Sequence, residues 1–153
     1  MTRLEGMSFV AFAALVLWCA VLSVIDIRER RLPNALTGVG ALGVLGYALY
    51  SAQFTAALVG AAVLALPYLA VHLVTPTGFG AGDVKLAVGL GGAAMLAGAR
   101  ALALAAIAAP VLTALIGTIL LIRRRVTGGA APGPIPHGPA MCLATVSAIL
   151  LVR

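Results

Sequence analysis

The stretch Gly78-Phe79-Gly80-Ala81-Gly82-Asp83-Val84-Lys85-Leu86 carries three glycines and an aspartate between two long apolar segments. No Asp, Glu, Lys or Arg lies between Arg31 and Asp83. A carboxylate placed against helices of membrane length is costly, and such a group is usually functional. Gly80 and Gly82 allow backbone conformations and close approaches that other residues do not. The stretch therefore predicts a functional carboxylate at the start of a membrane helix. The alternative is that Asp83 only caps that helix.

The composition is that of an integral membrane protein. Of the 153 residues, 63% are hydrophobic and 9% are charged, with a mean hydropathy of +1.16. A soluble domain is about half apolar and about a quarter charged. The length predicts one transmembrane domain over residues 1–153. The net charge of +6 comes from short basic clusters beside apolar segments, which is typical of contact with a lipid bilayer rather than with nucleic acid.

Six apolar segments predict an all-α fold, a polytopic membrane bundle of about six transmembrane helices. They are residues 7–25, 35–51, 54–74, 84–98, 101–122 and 140–152. The charged run that follows the first segment is typical of a stop-transfer signal, so we interpret this segment as a transmembrane helix rather than a cleaved signal peptide. The last segment is short for a span.

Two local patterns refine this bundle. Pro33 fixes its own φ, and Asn34 is expected to cap the second helix. Gly89, Ala93 and Ala97 recur every four residues, so they predict a small-residue face against which another helix packs tightly.

The basic residues predict the orientation of the protein in the membrane. If the N-terminus lies outside, seven of them face the cytoplasm and three lie outside. The seven are Arg28, Arg30, Arg31, Lys85, Arg123, Arg124 and Arg125, and the three are Arg3, Arg100 and Arg153. We therefore expect a multi-pass protein of the inner (plasma) membrane whose Asp26 and Asp83 face the cytoplasm.

Two of the four acidic residues stand at predicted helix–loop junctions on one side of the membrane. The four are Glu5, Asp26, Glu29 and Asp83. Asp26 ends the first predicted helix and Asp83 begins the fourth. Two converging aspartates can hydrolyse a peptide bond, because one takes a proton from water while the other polarises the carbonyl group. Asp26 and Asp83 are therefore the predicted catalytic residues.

The helix ends favour different roles for the two aspartates. A helix C-terminus disfavours an anion and a helix N-terminus favours one. Lys85 acts in the same direction as the helix start beside Asp83. We therefore expect Asp83 to be the ionised base and Asp26 the protonated acid. Arg28 and Arg30 oppose this assignment, because either could stabilise an ionised Asp26.

The remaining reactive side chains form no other catalytic or metal-binding pattern. Cys19 and Cys142 are isolated in apolar segments, so we interpret them as buried packing residues. His72, inside the third predicted helix, is interpreted as a packed or hydrogen-bonded residue. A site role for His137, in a proline-rich loop, is a hypothesis. The sequence predicts no metal and no cofactor.

Three motifs resemble those of the type IV prepilin peptidase family. Asp26-Ile-Arg-Glu-Arg-Arg-Leu-Pro-Asn34 is similar to the family's first aspartate motif. Gly80-Ala-Gly-Asp83-Val-Lys-Leu86 resembles its G-x-G-D motif, which presenilin-type intramembrane proteases share. Ile135-Pro136-His137-Gly138-Pro139 is similar to the family's I-P-F-G-P segment, with His137 in place of the usual aromatic residue. The resemblance covers essentially the whole chain in order and spacing.

The resemblance implies a membrane aspartyl endopeptidase that removes the short basic leader from type IV prepilins or pseudopilins at the cytoplasmic membrane face. It implies an Asp26/Asp83 dyad, with the substrate and the lipid bilayer as partners. The residues expected to shape the site are Gly80, Gly82, Lys85, Pro33 and Asn34. Larger family members carry a further domain with paired C-x-x-C motifs and methylate the new N-terminus. This chain resembles the short, peptidase-only type associated with Flp/Tad-like pili.

Two alternative functions remain open from the sequence. A proton-coupled membrane transporter is one, because intramembrane acids can relay protons. It would be favoured by an acid at mid-membrane, whereas Asp26 and Asp83 are predicted at helix ends. A non-catalytic assembly factor for a pilus or secretion system is the other, and the presence of both aspartates argues against it.

Overall fold

The computed structural model describes residues 7–75, 80–128 and 136–152. In these ranges the chain forms six α-helices and no β-strand, which confirms the predicted all-α bundle. The helices are α1 (Phe9–Glu29), α2 (Asn34–Tyr50), α3 (Phe54–Val74), α4 (Ala81–Ala97), α5 (Ala99–Thr127) and α6 (Gly138–Leu151).

Some residues used in the sequence analysis lie outside the described ranges. They are Arg3, Glu5, Gly78, Phe79, Ile135, Arg153 and most of the proline-rich loop.

Within the described part of the chain, three helices are long and apolar enough to cross a membrane, namely α1, α3 and α5. Helices α2 and α6 are shorter apolar helices of 17 and 14 residues. Helix α4 also has 17 residues and carries Asp83 in its first turn. At about 1.5 Å per residue, 17 residues cover about 25 Å, close to the thickness of a bilayer core. The helices are those of a membrane protein.

Three helix ends differ from the predicted bounds by three residues or more. Helix α1 continues past residue 25 to Glu29, so Asp26 lies inside its last turn. Helix α4 begins at Ala81 rather than at residue 84. Helix α5 continues past residue 122 through three arginines to Thr127. Apolar composition marks where lipid contact ends, whereas a helix can continue into water, because arginine is a good helix former and a cation is favourable near a helix C-terminus.

The predicted capping role of Asn34 is wrong. Pro33 occupies the N-cap position of α2 with φ −63° and ψ 125°, and no side chain among the described residues caps this helix. The proline already has the extended conformation that a cap position requires, so the helix begins at the next residue. The Asn34 side chain bonds to α4 instead.

Helix α4 is the centre of the bundle. It packs against α2, α3, α5 and α6. More than half of its residues are buried, and Leu86 and Leu90 are completely inaccessible. Such close surroundings are possible because α4 consists largely of glycine and alanine, which let neighbouring backbones approach.

The closest approach to α4 is made by α3 at Gly60 and Gly91. A Cβ atom on either glycine would overlap the carbonyl oxygen of the other. The predicted small-residue face of α4 is also used, because a Cβ on Gly89 would lie 2.8 Å from the Trp18 ring of α1. Ala93 on the same face is 1% exposed. Glycine and alanine therefore set the spacing of α4 from its neighbours.

Hydrogen bonds between helix ends define the two ends of the bundle. Gly138 at the start of α6 donates to Asp26 at the end of α1. Lys85 near the start of α4 donates to Asn34 at the start of α2. We call this the aspartate end. At the opposite end, the Ser8 backbone N–H donates to the Tyr47 hydroxyl at 2.8 Å.

Gly91→Ala should destabilise the bundle, because its methyl group would collide with the Gly60 carbonyl. Overpacking of this kind costs about 1–3 kcal/mol. The matched control is Gly46→Ala on α2, where nothing lies within 4 Å of the added Cβ. That control should unfold at the same or a slightly higher temperature, since alanine favours helix over glycine by about 1 kcal/mol. Thermal unfolding in detergent, followed by circular dichroism, measures both. Equal Tm values would contradict the close α3–α4 approach.

Candidate active site

Asp26 is buried, with 5% of its surface exposed. Its Oδ2 accepts a hydrogen bond of 3.0 Å from the backbone N–H of Gly138. The first N–H groups of a helix have no partner within that helix. The bond therefore satisfies a buried carboxylate and the N-terminus of α6 together. Residue 138 has no room for a side chain, because a Cβ there would lie 2.7 Å from Asp26 Oδ2.

Asp83 is half-buried in the first turn of α4. Its Oδ2 accepts a hydrogen bond of 3.1 Å from the backbone N–H of Gly80, the N-cap residue. In return, the Asp83 N–H donates to the Gly80 carbonyl at 3.0 Å. This reciprocal pair is a glycine version of the capping box. Asp83 thus does cap α4, and the capping contact fixes the direction of its carboxylate.

Leu32 contacts the surroundings of both aspartates. A Cβ on Gly82 would be 2.9 Å from Leu32 Cβ, and one on Gly138 would be 3.5 Å from Leu32 Cδ1. Leu32 therefore packs both against the neighbour of Asp83 and against the residue bonded to Asp26. The two carboxylates are close enough for the charge of Asp26 to act on Asp83. The structure thus brings the two predicted catalytic residues together at the aspartate end.

The other predicted site-shaping residues lie around this pair. Lys85 Nζ donates to Asn34 Oδ1 at 2.9 Å, which joins the first turns of α4 and α2. Among the described residues, the hydrogen bond of Lys85 goes to this amide rather than to Asp83. The Pro33 carbonyl accepts the backbone N–H of Thr37 at 3.1 Å. Pro33, Asn34 and Lys85 therefore support the helix starts beside the aspartates.

His137 is buried and forms a cluster with the half-buried Tyr68 and Thr113. It is 6% exposed and lies at the N-cap position of α6. Its Nε2 is 2.8 Å from the hydroxyl of Tyr68 on α3, and its Nδ1 is 2.6 Å from Thr113 Oγ1 on α5. Burial lowers the pKa of His137 to about 4, so the ring is neutral at pH 7.

Sequence reasoning did not find Tyr68 or Thr113. Each is one of a few polar groups in a long apolar helix, where a hydroxyl commonly bonds within its own helix. Tyr68 lies close enough to Asp83 for an electrostatic interaction. His72, interpreted from sequence as a packed or hydrogen-bonded residue, is also close enough to Asp83 for an electrostatic interaction. The described site is therefore larger than the two aspartate motifs.

The two cysteines are buried, as predicted. Cys19 on α1 and Cys142 on α6 both belong to the main hydrophobic core, where α1 packs against α6. Cys142 is near enough to Asp26 for an electrostatic interaction.

The structure removes the asymmetry on which the predicted roles of the aspartates depend. Asp26 stands at the C-terminus of α1, but its carboxylate is bonded to the N-terminus of α6 through Gly138. Asp83 is bonded to the N-terminus of α4 through Gly80. Both carboxylates therefore face a helix N-terminus, where an anion is favoured. The assignment of base and acid stays a prediction.

Comparison with known families assigns the chain. The model of the type IV leader peptidase family matches residues 13–128, which is well over half of the chain. The chain belongs to the type IV leader peptidase family. The resemblance to prepilin peptidases is thereby confirmed, and family membership implies a peptidase that acts on prepilins. No curated protein and no solved structure matches the chain significantly.

The family match covers part of the site of this leader peptidase. Asp26, Leu32 and Asp83 lie inside the matched residues. His137 and Gly138 lie beyond them, although Gly138 bonds directly to Asp26. The contact between α1 and α6 is therefore a feature of the structure that the family match does not include.

Gly82→Ser should lower the stability of this leader peptidase, because its Cβ would lie 2.9 Å from Leu32 Cβ. The expected loss is about 1–3 kcal/mol. Gly80→Ser is the matched control. Its Cβ would have only ordinary contacts, the backbone there is extended (φ −71°, ψ 150°), and serine is a preferred N-cap residue.

Thermal unfolding in detergent compares the two variants. Adding Leu32→Ala to Gly82→Ser should recover part of the lost Tm by making room. If Gly80→Ser were the more harmful change, the packing of Leu32 on Gly82 would be refuted.

Proposed function

We propose that this leader peptidase is an aspartyl endopeptidase that uses Asp26 and Asp83 to activate water. Its substrates would be type IV prepilins or pseudopilins of Flp/Tad-like systems, cleaved at the cytoplasmic membrane face. The observation that carries the proposal is the convergence of the two carboxylates at one end of the bundle. Family membership supports the reaction class, hydrolysis of a leader peptide.

The backbone contacts of the aspartates suit them to this chemistry. One oxygen of each carboxylate is held by a backbone N–H, from Gly138 for Asp26 and from Gly80 for Asp83. Within the described part of the chain the hydrogen bonds of both carboxylates go to Oδ2, so we propose that the Oδ1 atoms contact the water molecule and the substrate. Because both donors belong to helix starts, the carboxylates are oriented by rigid elements rather than by mobile side chains. Such fixed orientation lowers the barrier to reaction.

The proposed reaction consumes one water molecule. One carboxylate removes a proton from the water, whose oxygen attacks the carbonyl carbon of the scissile peptide bond. The other carboxyl group is protonated and donates a hydrogen bond to the carbonyl oxygen, which stabilises the developing charge. The carbon–nitrogen bond then breaks, and the proton taken from water passes to the leaving nitrogen. The products are a free carboxyl terminus on the leader and a free amino terminus on the mature protein.

The position of the acids supports hydrolysis over proton transport. Asp26 lies in the last turn of α1 and Asp83 in the first turn of α4. A group at a helix end can meet a peptide that enters from water. A relay across the membrane would need ionisable groups at mid-membrane depth.

The basic residues support a cytoplasmic aspartate end. Arg28 lies in the last turn of α1, Lys85 in the first turn of α4, and Arg123–Arg125 near the end of α5, all at the aspartate end. Arg100 lies at the start of α5, at the opposite end. We propose that the aspartate end faces the cytoplasm, because loops on that side carry an excess of Lys and Arg.

Asp26→Asn and Asp83→Asn should each reduce cleavage of a purified prepilin by at least about a thousandfold, because each removes one half of a catalytic unit. The double variant should be no worse than either single variant. Glu29→Gln is the matched control, since this exposed carboxylate lies one turn from Asp26 and pairs loosely with Arg31 at 3.9 Å.

Cleavage is followed by the mass of the product, and the amount of protein in the membrane should be unchanged for all variants. Substantial cleavage by either single aspartate variant would overturn the dyad.

Cysteine labelling in intact cells tests the orientation. Ser51→Cys, between α2 and α3, should react with a membrane-impermeant maleimide, and Arg125→Cys should react only after the cells are opened. The native Cys19 and Cys142 are buried, so they give a low background. The reverse labelling pattern would place the aspartate end outside.

A further inference from the structure

We propose that His137 is a positioning residue for the reaction proposed above. Its ring, bonded to Tyr68 on α3 and Thr113 on α5, fixes the start of α6 and so holds the Gly138 N–H on Asp26. The inference rests on the proposed function, because it assigns His137 to the support of one member of the aspartate pair.

One position of the ring proton satisfies all the hydrogen bonds of the cluster. In this arrangement Thr113 Oγ1 donates to the carbonyl oxygen of Ala109 at 3.1 Å. Because a hydroxyl has one proton, Thr113 then accepts a hydrogen bond from His137 Nδ1–H. The other nitrogen, Nε2, then accepts the hydroxyl proton of Tyr68. Both ring nitrogens are engaged, which fixes the ring between two helices.

The position of the His137 ring affects the Gly138 backbone N–H, which bonds to Asp26. The Gly138 N–H belongs to the same planar peptide unit as the His137 carbonyl, whose oxygen accepts the Met141 N–H at 3.1 Å, so this N–H moves with the first turn of α6. Among the described residues, no side chain caps the start of α6. The contacts of the His137 ring with α3 and α5, together with the packing of Leu32, therefore help to hold this turn against Asp26.

The same cluster reaches the second aspartate. Tyr68 stacks at a tilt on His137, with ring centroids 5.4 Å apart. Tyr68 also lies close enough to Asp83 for an electrostatic interaction. The series Thr113–His137–Tyr68 thus links α5 to the vicinity of Asp83. Its middle member, His137, directly precedes Gly138, which donates to Asp26. Displacement of this cluster would change the position of one carboxylate relative to the other.

The residue type at position 137 allows a sharp test. A phenylalanine, the aromatic residue of the similar I-P-F-G-P segment, fills the space of the histidine ring but forms neither hydrogen bond. If His137 only packs, His137→Phe should keep full activity. If it positions Asp26, His137→Phe should lose activity while the bundle stays folded.

Steady-state cleavage of a purified prepilin tests the cluster. Tyr68→Phe and Thr113→Val each remove one hydroxyl, and each should lower kcat about 5- to 10-fold with KM within twofold, as expected for one lost hydrogen bond. Thr113→Ser should restore kcat. The matched controls are Tyr50→Phe, on an 89% exposed tyrosine, and Thr118→Val, on an exposed threonine of α5 with the same type of intrahelical bond.

A double variant tests whether the residues act together. In His137→Phe both hydrogen bonds are already lost, so adding Tyr68→Phe should lower kcat no further. A further loss equal to that of the single Tyr68→Phe variant would overturn the cluster as a unit.

A signal from Gly138 reports on positioning without using cleavage. Glycine follows histidine at one place in the sequence, so labelling with carbonyl-13C histidine and 15N glycine gives a single resonance from this peptide bond. In detergent micelles, Tyr68→Phe and Thr113→Val should shift the Gly138 amide proton, as Asp26→Asn should. Tyr50→Phe and Thr118→Val should leave it in place.

These measurements separate failure of this inference from failure of the proposed function. An unshifted Gly138 amide together with unchanged kcat would overturn the role of His137. So would losses of activity that follow Tm and are not restored by Thr113→Ser, because those describe a purely structural residue. Cleavage that survives in Asp26→Asn would overturn the proposed function instead, and the amide signal would then decide the role of His137 by itself.

Discussion

The hydrogen bond from the Gly138 N–H to Asp26 Oδ2 is the contact on which the aspartate end depends. An uncompensated carboxylate in a buried position is costly, and so is an unpaired helix N-terminus. One bond removes both costs, and it can form only if α6 starts against the end of α1. Gly138 has no side chain to keep the two groups apart. The order of the helices around the bundle is thereby coupled to the chemistry of Asp26.

Helix α4 imposes the second constraint, because four other helices pack against it. Gly60 and Gly91 let α3 come into backbone contact, and Gly89 makes room for Trp18. With α4 fixed in this way, Asp83 in its first turn arrives beside Asp26. Leu32 packs against Gly82, the neighbour of Asp83, and against Gly138, which bonds to Asp26. Packing of small residues far from the site thus fixes the helix that carries Asp83.

The function proposed here joins these two constraints with the family assignment. A leader peptidase must present its reactive groups where a substrate peptide can reach them, and both aspartates lie at one end of the bundle. Their orientation comes from backbone N–H groups at the starts of α4 and α6. We propose that the cluster around His137 adds support for Asp26 that the two aspartate motifs do not contain.

The sequence by itself determined the membrane class, six helices and both aspartate motifs, because apolar segments and charged junctions are local features of the chain. It also led to one error of local reasoning, the capping role of Asn34. Only the tertiary structure decided that Asp26 bonds to Gly138, 112 positions away, and that His137 joins α3 and α5. The physical reason is that a hydrogen bond between single residues on distant helices leaves no periodic or compositional mark in the chain.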